Sequence, residues 1–230
     1  MRLSCTYAVY TAKFIVFLLE ACYNVPMKRY KYYAFDWDGT LMDTRSMYYE
    51  AFLQARAESA EEIPIPDNFG YLFGEPCDVA CKLLGVKDPI TFRDLWLGIF
   101  LKKCLAAVPY PGTGETLAAL KAGGARLYLV SSRNRFTAYP MMETPAFKDL
   151  FSGSAVFEDL SAPKPAPDAL YYLRDTYGVI LEETLMVGDS SQDFLCARSA
   201  GVSFASPGWN LEAIRGEGIQ VLPTPQALLQ

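Results

Sequence analysis

The chain of 230 residues contains no histidine. This absence excludes catalytic triads with an imidazole base, metal sites with histidine ligands and proton shuttles that use an imidazole. Three common classes of site are therefore ruled out before any motif is considered.

Paired cysteine motifs are also missing. The six cysteines are scattered along the chain and form no C-x-x-C pair, so neither a zinc knot nor a redox dithiol is indicated. Cys77 and Cys81 are four residues apart and could share one helix face. We expect reduced, structural thiols in a cytosolic (cytoplasmic) protein.

Basic residues are fewer than acidic residues. The 21 lysines and arginines stand against 26 acidic residues, which gives a net charge of −5. Binding to a nucleic acid backbone requires clustered basic residues, so nucleic acid is not an expected partner. A small phosphate ester is still compatible with this charge, because one local cationic pocket can hold it.

Long apolar runs are absent from the N-terminal stretch. Its longest uninterrupted run covers residues 14–19, which is far too short to span a bilayer. We interpret residues 1–29 as an N-terminal extension, in preference to a targeting segment. It is either an added or misassigned leader before a start at Met27 or an extra surface helix. No membrane partner is expected.

The rest of the chain alternates predicted strands with predicted helices. Strands are predicted over residues 31–35, 126–130, 154–157, 184–187, 202–205 and 219–222. Such alternation is typical of βαβ units, and hence of an α/β fold with a Rossmann-like parallel sheet and helices on both faces.

One segment, 45–108, interrupts this alternation. Its apolar residues recur at helical spacing over 47–60, 77–84 and 90–107. We therefore predict an all-helical cap of residues 45–108 that is inserted after the first strand. Residues 30–44 and 109–230 would form the catalytic core.

Polar side chains lie at or shortly after the carboxyl ends of predicted strands: Asp36, Asp38, Ser131, Lys164, Asp189 and Asp193. Ligands of open α/β sheets bind outside these strand ends. Segments that are far apart in the sequence are therefore expected to meet in one crevice.

The pair Asp36 and Asp38 has two interpretations. One carboxylate can attack phosphorus, while the other, protonated for part of the cycle, donates a proton to the leaving alkoxide. A tight turn in the sequence DWDGT explains the same residues without catalysis. The spacing alone does not decide between them.

Asp189 and Asp193 are four residues apart at the start of a predicted helix, so they share one face. Helix capping would explain Asp189, but not two acids beside strand ends that already carry two more. Carboxylate oxygens and water are the ligands that Mg²⁺ prefers, so a Mg²⁺ site is predicted.

Two further side chains could bind a phosphoryl group. Lys164 lies in a loop stiffened by prolines, and its ammonium can neutralise a nucleophile and phosphate oxygens, although a lone lysine is more often solvated. Ser131 offers a hydroxyl, with the backbone N–H groups after it as further donors.

Four segments resemble, in order and spacing, the motifs of the haloacid dehalogenase superfamily: DWDGTLMDT (36–44), LVSS (129–132), KPAPD (164–168) and VGDSSQDFLCARSAG (187–201). The resemblance covers residues 31–207 and includes a helical cap between the first two motifs. Within the superfamily, the chain looks most similar to the phosphoglycolate phosphatase branch.

The resemblance implies a phosphatase in which Asp36 forms an aspartyl-phosphate. Asp38 would protonate the leaving group and then activate the water that hydrolyses the intermediate. Ser131, Ser132 and Lys164 would bind the phosphoryl group.

The resemblance also implies the loop and metal residues. Gly39 and Thr40 would shape the first loop, with Thr40 near the substrate. Mg²⁺ would be held by Asp36, the backbone carbonyl of Asp38, Asp189 and Asp193, the last directly or through water.

Other functions share this fold. Family members that cleave carbon–halogen or carbon–phosphorus bonds lack an acid at the position of Asp38, so Asp38 favours a phosphate ester. A sugar phosphomutase uses the same two acids but places a catalytic histidine in its cap, which this chain lacks. A non-catalytic binding or regulatory module stays open as an alternative. One departure is Ser131-Ser132, followed by Arg133, where relatives often have Thr-Asn or Ser-Asn.

Substrate choice is expected to depend on the cap. Gly74 could open a loop over the site and contact substrate, or form a plain turn. Arg45 and Tyr48 could contact substrate, although a solvated face is the more typical position. Five cap aromatics are predicted to form its own core: Tyr49, Phe52, Phe92, Trp96 and Phe100. The expected partner is a small phosphorylated metabolite, bound by a monomer or a homodimer.

Overall fold

The computed structural model describes residues 29–73 and 75–230. The predictions for residues 1–28 of the extension and for Gly74 lie outside these ranges. Across the described residues, no helix combines the length and the apolar character needed to cross a membrane.

Six strands and seven α-helices form within the described residues. The strands are β1 (Tyr32–Phe35), β2 (Arg126–Val130), β3 (Gly153–Ala155), β4 (Thr184–Val187), β5 (Ser203–Pro207) and β6 (Gln220–Leu222). The helices are α1 (Arg45–Glu58), α2 (Cys77–Leu83), α3 (Pro89–Leu105), α4 (Thr113–Ala122), α5 (Arg135–Met142), α6 (Asp168–Tyr177) and α7 (Ser191–Ala200). Short 3₁₀ turns cover Phe69–Leu72, Phe157–Asp159, Leu181–Glu183 and Pro225–Leu229.

The strands form one parallel sheet in the order β3-β2-β1-β4-β5-β6. Strand β1 lies between β2 and β4, and Phe35 pairs with Leu129 on one side and Val187 on the other. The carboxyl ends of these three strands are thus level. The chain reverses its direction of travel across the sheet between β1 and β4, which is where such folds bind ligands. The predicted α/β fold is confirmed.

Both faces of β1 are buried, as expected for a central parallel strand. Tyr32 and Ala34 belong to an apolar cluster with residues of α6 and α7, while Tyr33 and Phe35 point the other way and are equally buried. Because β1 is buried at every position, it contains no charged residue, and the first charged residue after it is Asp36.

Helices α1, α2 and α3 occupy the segment 45–108. Their shared core is aromatic, with Phe52 and Trp96 fully buried and their rings 5.3 Å apart. Tyr48 stacks on Trp96 at 4.5 Å, and the Trp96 indole N–H donates to the Tyr48 carbonyl. The aromatic core predicted for this segment is confirmed, and its described residues contain no strand.

Two stretches of chain, one outgoing and one returning, connect this helical segment to the sheet. Met42 and Pro109 form an antiparallel bridge, and the Tyr110 N–H donates to the Leu41 carbonyl at 3.0 Å. The outgoing and returning chains therefore lie side by side directly after the turn that follows β1.

Two differences between the sequence-based prediction and the structure lie between residues 135 and 157. Helix α5 was not predicted, because Pro140 lies inside it; Asn134 begins the helix, accepting the Thr137 N–H at 3.1 Å. The predicted strand 154–157 was too long, since Phe157 starts a 3₁₀ turn.

Candidate active site

A tight turn directly after β1 positions the first acid. The Asp36 N–H still donates to the Val187 carbonyl at 2.9 Å, so the sheet fixes its backbone. Gly39 follows with φ of +77°, and a Cβ there would lie 2.2 Å from Oδ2 of Asp189. Glycine is required at this position both for its conformation and for the close approach of Asp189.

Lys164 joins two of the predicted acids. Its Nζ lies 2.6 Å from Oδ1 of Asp36 and 2.6 Å from Oδ1 of Asp193, and all three side chains are buried. Burial opposes the charge on Lys164, but the two carboxylates outweigh it and raise the lysine pKa. Lys164 is therefore a fixed cation at the sheet end, and the solvated alternative is wrong.

Burial has a large effect on Asp36. It raises the pKa of this carboxyl well above its usual value, against the opposing charge of Lys164, and the neighbouring Asp193, Asp189 and Asp38 add to the rise. One lysine does not neutralise this group of acids, so a further cation would stabilise the ionised form.

Asp193 is held by the first turn of α7. The Ser190 hydroxyl accepts the Asp193 N–H, while the Ser190 N–H donates to Oδ2 of Asp193 at 3.0 Å. This reciprocal arrangement is a capping box. A Cβ on Gly188 would lie 2.5 Å from Cβ of Asp193, so glycine is needed for this approach. Ser190 and Asp193 therefore cap the N-terminus of α7, and the capping interpretation of Asp189 is wrong.

Asp189 contacts two residues from other parts of the chain. Nη2 of Arg45 lies 3.1 Å from its Oδ2, and Nδ2 of Asn210 lies 3.4 Å away. Burial and the adjacent Asp193 raise the pKa of Asp189 to about 7, against the effect of Arg45 and Lys164. Arg45 also pairs with Glu212, so a plainly solvated face is the wrong description for it.

Asp36, Asp189 and Asp193 form the one acidic cluster suited to a metal among the described residues. Each offers a carboxylate oxygen, and the three oxygens lie within 4.8 Å of one another. Oxygens bound to one Mg²⁺ at about 2.1 Å are at most about 4.2 Å apart, so only small movements are needed. The donor set and its excess negative charge fit the ion.

Asp38 is directed away from this cluster. Nε and Nη2 of Arg133 donate to its two oxygens at 2.8 and 2.6 Å, and the Thr44 hydroxyl also donates to Oδ1. Burial would raise the pKa of Asp38, but Arg133 and Thr44 together hold it below its usual value. About a third of the side chain remains exposed. The contribution predicted for its backbone carbonyl to the metal stays a prediction.

The remaining predicted residues take different positions. Ser132 lines the central cavity. Ser131 is buried and accepts the Arg133 N–H at 3.2 Å, while Thr40 is fully buried with its carbonyl accepting the Trp209 indole N–H. Within the described chain, neither Ser131 nor Thr40 is among the cavity-lining residues. Their roles toward substrate stay predictions.

A cavity separates the strand ends from the helical segment. The sheet side contributes Asp36, Asp38, Ser132, Arg133, Lys164 and Asp189. The helical side contributes Arg45, Tyr48, Phe73, Pro76, Arg93, Leu97 and Phe100. Tyr48 thus faces the cavity and the aromatic core, and its predicted solvated position is wrong.

Three site residues were not assigned a role from the sequence: Thr44, Arg133 and Asn210. Arg133 was detectable in principle, since it is a cation directly after the Ser131-Ser132 pair. Asn210 donates to the Gly39 carbonyl at 2.8 Å, but nothing in its sequence surroundings indicates this contact.

Comparison with known proteins places the chain in a family. Residues 33–206 match the model of the haloacid dehalogenase-like hydrolases. The pyrophosphatase PpaX of Halalkalibacterium halodurans is 31% identical over 193 residues, covering 80% of this chain and 84% of the relative. The phosphoglycolate phosphatase of Mannheimia succiniciproducens is 38% identical over 98 residues, covering 43% of this chain and 44% of that protein.

The fold is also found in solved structures. CbbY from Rhodobacter sphaeroides, a mutant form solved with xylulose-1,5-bisphosphate, superposes with a TM-score of 0.73 at 18% identity, over 85% of this chain and 95% of that one. At this identity the likeness concerns the fold alone. The family match and the curated relatives lead to one conclusion: the chain belongs to the haloacid dehalogenase-like hydrolases, and it is an enzyme of the phosphatase type within that family.

Proposed function

We propose that the enzyme is a Mg²⁺-dependent phosphatase, similar to phosphoglycolate phosphatase, that hydrolyses a small phosphate monoester through an aspartyl-phosphate on Asp36. The observation that carries the proposal is the pairing of Asp36 with Lys164 at 2.6 Å, beside two further acids and at the floor of a cavity. The names of the relatives agree with this class, since they include a pyrophosphatase and a phosphoglycolate phosphatase.

Asp36 is the proposed nucleophile. Its backbone is fixed by β4 and one carboxylate oxygen by Lys164, so the side chain is pre-oriented at the strand end. Phosphoryl transfer depends mainly on such positioning and on charge neutralisation. Lys164 then neutralises oxygens of the transferring group, and we propose that Ser131 and the Ser132 N–H contact it as further donors.

Asp38 is the proposed acid and base. The chain has no histidine, and Asp38 is the second carboxylate of the same turn, directed into the cavity. Arg133 and Thr44 favour its ionised form, which suits the later step in which it activates water. For the first step it must bind a proton, which it then passes to the leaving oxygen.

Asp36, Asp189 and Asp193 would hold Mg²⁺, together with the backbone carbonyl of Asp38. When bound, the ion supplies positive charge that the phosphate oxygens and this acidic cluster both require. The protein supplies the fixed ligands, since Ser190 orients Asp193 and Arg45 orients Asp189.

The helical segment 45–108 is the proposed cap. It supplies the cavity wall opposite the strand ends, and its two connections lie side by side at Met42 and Pro109. A cap in this position would exclude bulk water during transfer and contact the part of the substrate beyond the phosphate. A cytoplasmic location and a monomeric or homodimeric state stay predictions.

The test compares the wild type with Asp36→Asn on p-nitrophenyl phosphate and on a panel of phosphorylated metabolites, with and without Mg²⁺. We expect turnover by the wild type that requires Mg²⁺ and is lost in the variant. Asp43→Asn, which changes an exposed acid in the same loop, is the matched control and should retain activity. Equal, background rates for wild type and Asp36→Asn on every ester would leave a non-catalytic binding module as the better account.

A further inference from the structure

A loop after β5 reaches the acidic cluster from a part of the chain outside the four matched segments. The loop covers residues 208–215 and begins with a tight turn, in which the Asn210 N–H donates to the Pro207 carbonyl at 3.0 Å. Further along, the Ile214 N–H donates to the Asp189 carbonyl at 2.7 Å. The loop is therefore attached to the backbone of one of the proposed metal ligands.

The side chain of Asn210 bridges this loop and the strand ends. Asn210 is only 6% exposed, and its Oδ1 accepts the Glu212 N–H at 3.0 Å, which fixes the direction of the amide. Its Nδ2 donates to the Gly39 carbonyl at 2.8 Å and to Oδ2 of Asp189 at 3.4 Å. An amide nitrogen carries two N–H groups, so it can donate to both acceptors at once. Asn210 thus joins the turn after β1 to Asp189.

Two other groups confine the same carboxylate oxygen. A Cβ at Gly39 would lie 2.2 Å from Oδ2 of Asp189, so this oxygen rests against the glycine backbone. Nη2 of Arg45 also donates to Oδ2, at 3.1 Å, but Arg45 is about a third exposed and also pairs with Glu212. Asn210 is buried and neutral, so it can orient the carboxylate without adding positive charge that opposes a metal ion.

We propose that Asn210 is a positioning residue of the metal site: its amide holds Oδ2 of Asp189 against the turn after β1 and so presents the carboxylate to Mg²⁺ in a fixed orientation. This inference rests on the proposed phosphatase function, because it uses the metal site proposed there. Asn210 contacts neither the ion nor the substrate in this role, since it acts through Asp189 and the Gly39 carbonyl.

The test measures the dissociation constant of Mg²⁺ by isothermal titration calorimetry of the wild type and of Asn210→Leu, both first freed of metal with EDTA. Leucine is similar in size to asparagine but has no side-chain N–H group. We expect the variant to bind Mg²⁺ about 10- to 100-fold more weakly, as when a hydrogen-bond partner of a ligating carboxylate is lost. On p-nitrophenyl phosphate, kcat at saturating Mg²⁺ should change much less than this affinity. A merely structural role would lower the melting temperature and leave the dissociation constant unchanged.

Trp209→Phe is the matched control. The Trp209 indole N–H donates to the Thr40 carbonyl at 2.9 Å, so this substitution removes another contact between the same loop and the same turn, but not one with an acid. Its Mg²⁺ affinity should equal that of the wild type. Asn210→Ser serves if the leucine variant does not fold; its single O–H can donate to only one of the two acceptors, so it should also weaken Mg²⁺ binding.

Two results would overturn the inference while leaving the phosphatase proposal intact. One is a folded Asn210 variant that binds Mg²⁺ as tightly as the wild type. The other is a Trp209→Phe enzyme that loses affinity to the same extent, because loosening of the loop would then account for the loss. A wild type that shows neither Mg²⁺ binding nor Mg²⁺-dependent turnover would instead contradict the proposed function, and the inference with it.

Discussion

The two acids of the turn after β1 have opposite surroundings. Asp36 is buried against Lys164, and burial raises its pKa. Two residues later, Asp38 is partly exposed and paired with Arg133, which holds its pKa low. A separation of two residues is thus enough to place one carboxylate in a buried group of acids around a single lysine and the other beside a guanidinium. The difference supports the distinct chemical roles that we propose for the two acids.

Replacing Asp38 should separate the two steps of the reaction. In Asp38→Asn, p-nitrophenolate can still leave without a proton, so Asp36 should be phosphorylated in a rapid burst. Hydrolysis of the intermediate then lacks its base, and steady-state turnover should fall by about 10²–10⁴-fold. Rapid-mixing measurement of p-nitrophenol release checks this. Asp36→Asn should give no burst, and a burst-free Asp38→Asn would show that the two acids do not divide the reaction as proposed.

Removing the charge of Lys164 should affect both turnover and stability. Lys164→Met leaves Asp36 and Asp193 buried without their partner, which should lower kcat by about 10²–10³-fold. The free energy of unfolding should fall by about 3–5 kcal/mol, as when one member of a buried ion pair is lost. Denaturant unfolding and initial rates provide the measurements. Lys148→Met changes an exposed lysine and should alter neither; a Lys164→Met enzyme with unchanged kcat would remove Lys164 from the mechanism.

The acidic cluster should destabilise the metal-free protein at high pH. The pKa of Asp189 is raised to about 7, so between its ordinary value and 7 the folded state holds a proton that the unfolded state has lost. This contribution to stability is fully present below the ordinary pKa and is lost as the pH rises through about 7. In EDTA, the melting temperature of the wild type should therefore fall between pH 5 and 8.

Asp189→Asn should remove this pH dependence of the melting temperature. At pH 8 in EDTA it should melt about 2–4 °C above the wild type, which corresponds to about 1 kcal/mol. Mg²⁺ should stabilise the wild type and have a much smaller effect on the variant. Asp67→Asn, an exposed acid, should behave as the wild type. Equal stabilisation of both proteins by Mg²⁺ would exclude Asp189 as a ligand.

The meeting of the acidic cluster with Lys164 could be predicted from the sequence, because a few simple physical rules determine it. Parallel strands bring their carboxyl ends to one edge, so Asp36, Lys164, Asp189 and Asp193 were expected to meet, and their contacts bear this out. Glycines at 39 and 188 permit the close approaches that this convergence requires.

Three other contacts of the site could not be predicted in the same way. The pairing of Asp38 with Arg133 depends on side-chain directions across 95 positions of sequence, which no periodicity encodes. The contact of Asn210 with Gly39 is equally long-range. Arg45, assigned to a solvated face by its place on a helix, pairs with Asp189 because the two chain connections bring α1 back over the strand ends.

The most direct test of the central claim is detection of the covalent intermediate. The wild-type enzyme is mixed with substrate and Mg²⁺, quenched in acid within milliseconds and digested, and the peptides are analysed by mass spectrometry. The account predicts one added phosphoryl group on Asp36, increased in Asp38→Asn and absent from Asp36→Asn. A phosphoryl group on any other residue, or turnover by Asp38→Asn without phosphorylation of Asp36, would contradict it.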